Sequence, residues 1–251
     1  MLTLDELIAA KRREAASASA PDVREVRPAV RDFAYYCATS REELAVLPLL
    51  AARLPAQGEI WPGMDAAAEA RRLAGGSAHA LAVATDARFG GSMANLAAAA
   101  AADASPVLRY DFLLSPADLY VSRVLGADAV WLHAFLYSAD ALAELIGIAT
   151  SLHMAAVVGV RDRAELAKVQ PARPRFIGVH ADDLLGGEVD LEAAARLCEL
   201  AAETASPVVL GGVTSEAELA ALHGVADAVV VAAPLAARAD LDAIIDRVNA
   251  D

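Results

Sequence analysis

Eight short apolar runs, each followed by a stretch long enough for a helix, constrain this chain more than any other feature. The runs are "LAVLPLLA" (44–51), "ALAVAT" (80–85), "PVLRY" (106–110), "DAVWLH" (128–133), "AAVVGV" (155–160), "RFIGVH" (175–180), "PVVLGG" (207–212) and "DAVVVA" (227–232). Nearly continuous apolar runs of this length are the pattern of strands covered on both faces, as in parallel sheets flanked by helices. Intervening stretches such as 138–151 and 190–204 have helix length, and Asp190 opens the second as an acidic N-cap. Strands alternating with helices imply right-handed βαβ units. Eight units in about 200 residues, with no GxGxxG turn after the first run, predict a closed (β/α)8 barrel rather than an open doubly wound sheet. The expectation is one α/β domain: a barrel over 44–251, with an N-terminal helical extension over 1–43 capping one barrel end. That extension begins as an amphipathic helix with Leu2, Leu4, Leu7 and Ile8 on one side.

Composition narrows the partners. The 251 residues are 57% hydrophobic with mean hydropathy +0.41, enough for a sizeable core. A net charge of -13 opposes phosphate backbones and anionic lipid, which argues against nucleic acid and membrane surfaces. No stretch reaches the roughly 18 uninterrupted apolar residues of a membrane span. The first residues, "MLTLDELIAAKRREAA", carry acids among their apolar positions, unlike a signal peptide, so a cytoplasmic location is expected. Cys37 and Cys198 lie far apart with no CxxC or histidine-rich neighbourhood; both read as small buried hydrophobes rather than a disulfide or zinc pair. No metal and no cofactor is expected, and a small molecule is the expected ligand. Oligomeric state leaves no signal in the composition.

In such a barrel, chemistry belongs at the C-terminal ends of the strands. Thr85, Asp86, Arg109, Tyr110, Asp111, His133, Arg161, Asp162, His180, Asp182 and Asp183 stand there. Three stretches also carry a resemblance: "GEIWPGMDAAAEARRLAGGSAHALAVATDARFGGSMANL" (58–96), "PVLRYDFLLSPADLYVSRVLGADAVWL" (106–132) and "FIGVHADDLLGGEVDLE" (176–192). The chain resembles the indole-3-glycerol phosphate synthases of tryptophan biosynthesis, from its first helix to its last strand, which implies a TIM barrel.

The family's working residues are not all matched. The resemblance sets Leu49 at a glutamate, Ala51 at a lysine and Leu54 at a serine of the first strand end, with Pro55 and Gly58 retained. It sets Tyr110 at the lysine that serves as general acid in Leu-Arg-Lys-Asp-Phe. Gly159 and Leu210 fall on two further glutamates, His180 on an asparagine and Asp182 on an arginine. Ala232–Pro234 falls on the phosphate-binding Gly-Glu-Ser phrase. The family reaction protonates a carbonyl, closes a ring with decarboxylation and expels water, which calls for a positioned acid and base.

These replacements lead to the expectation that the family reaction has been lost. In its place stands a lyase, cyclase or isomerase of specialised metabolism acting on an unphosphorylated, aromatic or apolar substrate. A pseudoenzyme that binds a small molecule or partner protein is the alternative, and residual synthase activity a third. Tyr110 and His180 are the expected catalytic pair, since a phenol and an imidazole both exchange protons or hydrogen bonds. Leu49, Ala51, Thr85, Arg109, Trp131, His133, Asp182 and Leu210 are expected to line the substrate site, with Asp182 either orienting His180 or solvated in its loop. Arg109 and Asp111, matching the family phrase, also read as a structural ion pair, and His133 as a core histidine.

Overall fold

The computed structural model describes residues 3–17, 26–38, 43–102, 105–185 and 187–250. Leu2 of the amphipathic helix lies outside them. Eight parallel strands close a barrel: β1 (Ala45–Leu50), β4 (Leu81–Ala84), β5 (Val107–Tyr110), β6 (Ala129–His133), β7 (Ala155–Val160), β8 (Phe176–His180), β9 (Ser206–Leu210) and β10 (Ala228–Val231). β1 closes the ring by pairing with both β10 and β4. Seven of the eight apolar runs contain one of these strands, and β9 starts at Ser206, one residue before the run 207–212. A two-residue hairpin, β2 (Arg53–Leu54) and β3 (Gly58–Glu59), follows β1 and was not anticipated. Its strands are too short to leave a period in the sequence.

Helices α3 (Ala66–Leu73), α4 (Met93–Ala102), α5 (Pro116–Val124), α6 (Ala139–Ser151), α7 (Arg163–Val169), α8 (Leu191–Ala201), α9 (Glu216–Ala220) and α10 (Leu241–Val248) surround the barrel. Their starts follow from local chemistry. Asp65, Ser138, Asp162 and Asp190 each accept a backbone N–H from the first turn of the helix that follows. Ser115 and Ser215 build capping boxes with Asp118 and Glu218. No helix among the described residues is long and apolar enough to cross a membrane.

Two apolar layers result. Outward-facing strand residues such as Val83, Val130 and Val209 pack on the helices. Inward-facing ones, including Leu47, Leu108, Tyr110, Trp131, Phe176 and Val230, fill the barrel. Strand alternation sends Tyr110 inward and its neighbour Arg109 outward.

The N-terminal residues meet both barrel ends. Helix α1 (Leu4–Ser17) is tied to the C-terminal ends of the strands by Lys11, whose Nζ lies 2.7 Å from Asp111 and 3.2 Å from Asp86. Helix α2 (Phe33–Cys37) is anchored at the other end, where Phe33 packs edge-on against Phe176 at the start of β8, ring centroids 5.5 Å apart.

Candidate functional site

The mouth of the barrel divides into two halves of different character. Over β5 to β8 it is filled with rings. His133 lies stacked between Phe112 (centroids 4.5 Å apart) and His180 (5.1 Å), both at an interplanar angle of 19°. Tyr110 meets Trp131 and His133 edge-on at 6.0 Å each. Trp131 donates its indole N–H to Nε2 of His180 over 3.2 Å. Room for the indole exists because its inward-facing neighbours, Gly159 and Gly178, have no side chain; a Cβ on either would overlap the Trp131 ring.

Neither nitrogen of His133, nor Nδ1 of His180, meets a hydrogen-bond partner among the described residues. Burial therefore pushes the His133 pKa down to about 3. His180 is also held well below its ordinary value, by burial and then by His133 and Arg161. Both imidazoles are neutral at pH 7.

The other half of the mouth, over β8, β9, β10, β1 and the β4–β5 edge, is open. It holds a cavity of about 260 Å³ walled by Leu49, Phe89, Leu210 and Val230, with Tyr110 and Asp182 as polar groups facing in. Thr214 and Glu218 stand at its rim, but the Glu218 carboxylate already accepts from Thr214 and Ser215. Among the described residues, no lysine or arginine lines the cavity.

Asp182 lies beyond the end of β8, where its Oδ1 accepts the Leu184 N–H at 3.0 Å. Gly211, at φ +90°, makes space for it: a Cβ there would sit 2.7 and 2.8 Å from the two carboxylate oxygens. Burial, countered by the Leu184 N–H and helped by the charge of Asp183, pushes the Asp182 carboxyl up to about 6. The Tyr110 phenol is also raised, first by burial and then by Asp182 and Asp111, so it stays protonated.

Of the expected site residues, Leu49, Tyr110, Asp182 and Leu210 meet at this cavity. Trp131, His133 and His180 form the neighbouring ring stack and do not line it. Ala51 is buried beyond β1. Thr85 and Arg109 belong to a buried polar cluster between barrel and helices. There the Arg109 guanidinium, 1% exposed, donates to Thr85 (2.9 Å), Ser122 (2.9 Å) and Asp111 (2.8 Å), and Thr85 donates to Asp111 at 2.5 Å. Against the cost of burial, Arg109 and Lys11 hold the Asp111 carboxyl at about 2.

Sequence reasoning missed Lys11, Phe89, Thr214 and Glu218. Lys11 had one available signal, being one of only two lysines in the chain.

The description "Indole-3-glycerol phosphate synthase" matches residues 4–248. The chain belongs to the indole-3-glycerol phosphate synthase family. A protein of that name from Parafrankia sp. (strain EAN1pec) is 36% identical over 75% of this chain and 71% of its own length. "Indole-3-glycerol phosphate synthase 2" of Streptomyces coelicolor is 37% identical over 68% of this chain and 66% of its own. The crystal structure of 3-hexulose-6-phosphate synthase superimposes with a TM-score of 0.64 at 16% identity, covering 82% of this chain and 99% of that one, a likeness of fold alone.

These findings correct the expectation that this member of the synthase family had lost the family reaction to specialised metabolism, to an unphosphorylated substrate or to a pseudoenzyme's binding role. Relatives 36 and 37% identical over most of the chain carry the synthase name, and the family match is nearly end to end. The physical reason lies in how the replacements were weighed. Acid–base chemistry depends on which groups face the cavity and in what protonation state, rather than on the residue types at particular positions. Asp182, weighed as a solvated loop carboxylate, is a cavity group with a raised pKa.

Proposed function

We propose that this chain is an indole-3-glycerol phosphate synthase that closes the indole ring in the mouth cavity. The observation that carries this reading is the family match over residues 4–248, supported by the synthase name of its relatives. The cavity suits an aryl substrate: Leu49, Leu210 and Phe89 offer apolar wall, and Tyr110 offers a ring edge and a hydroxyl donor. An anionic substrate is compatible with Asp182 because that carboxyl is neutral below about pH 6, and a nearby anion raises its pKa further.

In this reading Tyr110 hydrogen-bonds the reacting substrate. Trp131, His133 and His180 act behind it as positioning residues that hold the phenol's ring. The test is incubation of the purified protein with the family's ring-closing substrate, followed by indole fluorescence. Turnover abolished by denaturing the protein is expected; a trace equal to the protein-free control overturns the proposal.

A further inference from the structure

We propose that Asp182 is the catalytic acid of this mouth, giving its proton to the substrate carbonyl and taking one back when the ring becomes aromatic. This rests on the synthase reading and adds to it a carboxylic acid at a position that the sequence resemblance sets at an arginine. The argument is geometric first. Among the cavity-lining side chains, the ionisable groups are Tyr110, Asp182 and Glu218. Glu218 is engaged by the Thr214 and Ser215 N–H groups and the Thr214 hydroxyl, which hold its charged form below the usual carboxylate range despite some burial. Tyr110 is too weak an acid. Asp182 Oδ1 accepts the Leu184 N–H, and the carboxylate occupies space that a Cβ at Gly211 would fill.

Burial and the Asp183 charge favour the protonated form and outweigh the backbone N–H groups of Leu184 and of Asp182 itself, which favour the carboxylate. Asp183 adjoins it in the loop, the Tyr110 phenol faces it from β5, Glu218 faces the same cavity from α9, and no cation lines the space. A carboxylic acid with a pKa near 6 combines a useful protonated fraction at neutral pH with real driving force for transfer.

The proton balance closes. Asp182 protonates the carbonyl oxygen as the aryl carbon bonds to the carbonyl carbon, leaving a hydroxyl and an Asp182 carboxylate. The aryl–carboxylate bond then breaks, and its electron pair restores the ring as carbon dioxide departs. The hydroxyl leaves as water with one proton from solvent, and the proton lost from the adjacent carbon returns to Asp182.

The experiment compares the wild type, Asp182→Asn and Asp183→Asn by steady-state turnover across pH, together with thermal midpoints. Asp182→Asn is expected to lower kcat by roughly 10² or more with KM little changed. Wild-type kcat should fall as pH rises through about 6. Asp183→Asn, whose amide oxygen can still accept the Leu185 and Gly187 N–H groups, should retain most of the low-pH kcat while moving its fall to lower pH, because the Asp183 charge helps to raise the Asp182 carboxyl. If the wild type turns over and Asp182→Asn keeps its rate and pH profile, the inference is wrong while the synthase reading stands. If the wild type does not turn over, both fall.

Midpoints add a readout independent of chemistry. Asp182 is harder to ionise folded than unfolded, so it destabilises progressively above pH 4 and fully above about pH 7. Asp182→Asn should therefore raise the midpoint at pH 8 and leave it nearly unchanged at pH 4. Equal midpoints at pH 8 would mean that the acid is not held protonated, and would overturn the inference.

Discussion

The Trp131 indole lies across the inward faces of Gly159 and Gly178 and donates its N–H to Nε2 of His180 over 3.2 Å. That bond leaves the proton of neutral His180 on Nδ1, and the indole fills the barrel centre beside position 159, which the sequence resemblance sets at a glutamate. One tryptophan thus both occupies the space and orients the imidazole.

A glutamate introduced at position 159 should consequently not be accommodated. A Cβ at 159 would overlap the Trp131 indole nitrogen and stand 2.9 Å from His180 Nε2. Even Gly159→Ala should cost about 1–3 kcal/mol by overpacking. Urea unfolding of Gly159→Ala, Trp131→Leu and the double variant should give a coupling energy of at least about 0.5 kcal/mol, with the alanine less harmful once the indole is gone. Additive losses would mean that the two sites do not share this space.

Acid should unfold the protein from an unusually high pH. His133 is depressed to about 3 in the fold, so its contribution to stability is complete above about 6.5, where the unfolded imidazole is neutral, and is lost as pH falls toward 3. The expected slope is about 1.4 kcal/mol per pH unit for each such histidine, and His180 adds in the same direction. His133→Phe, which keeps a ring between Phe112 and His180, should flatten the slope by about one proton between pH 6 and 4. An unchanged slope would show that His133 is not buried in its neutral form.

Docking of α1 should depend on Lys11. Its ammonium lies 2.7 Å from Asp111 and 3.2 Å from Asp86, and both carboxylates are buried. Lys11→Met keeps the stem but strips Asp111 and Asp86 of that charge, with an expected loss of about 3 kcal/mol. The loss should barely change between low and high salt, because the pair is shielded from solvent. A denaturation midpoint within error of the wild type would show that apolar contacts alone hold the helix.

Much of the fold was readable in the chain. The eight runs coincide with the eight barrel strands, to within one residue at Ser206 of β9, because a strand covered on both faces admits few polar residues and leaves an apolar run as its trace. Helix starts were readable for the same kind of local reason: Ser138 and Asp190 cap α6 and α8 where their patterns begin. The β2–β3 hairpin left no trace, since two residues per strand cannot make a period.

The site was legible by position and less so by role. That Leu49, Tyr110, Asp182 and Leu210 lie near the strand ends follows from the alternation and length of the runs, and they do share one cavity. Whether an imidazole, phenol or carboxylate there is exposed, stacked or desolvated follows from neighbours distant in sequence. His180 meets Trp131, 49 residues away, and Asp182 occupies the gap left by Gly211.

What the sequence alone determined, then, is the strand and helix order, the barrel they close and the family resemblance, all consequences of local pattern and short-range capping. What only the tertiary structure decided is the electrostatic state of the mouth. Lys11 meets Asp111 across 100 residues, the rings of β5, β6 and β8 stack into one block, and Asp182 loses enough water to move its pKa to about 6. Those properties depend on distance and desolvation, which are set only when separate strands come together.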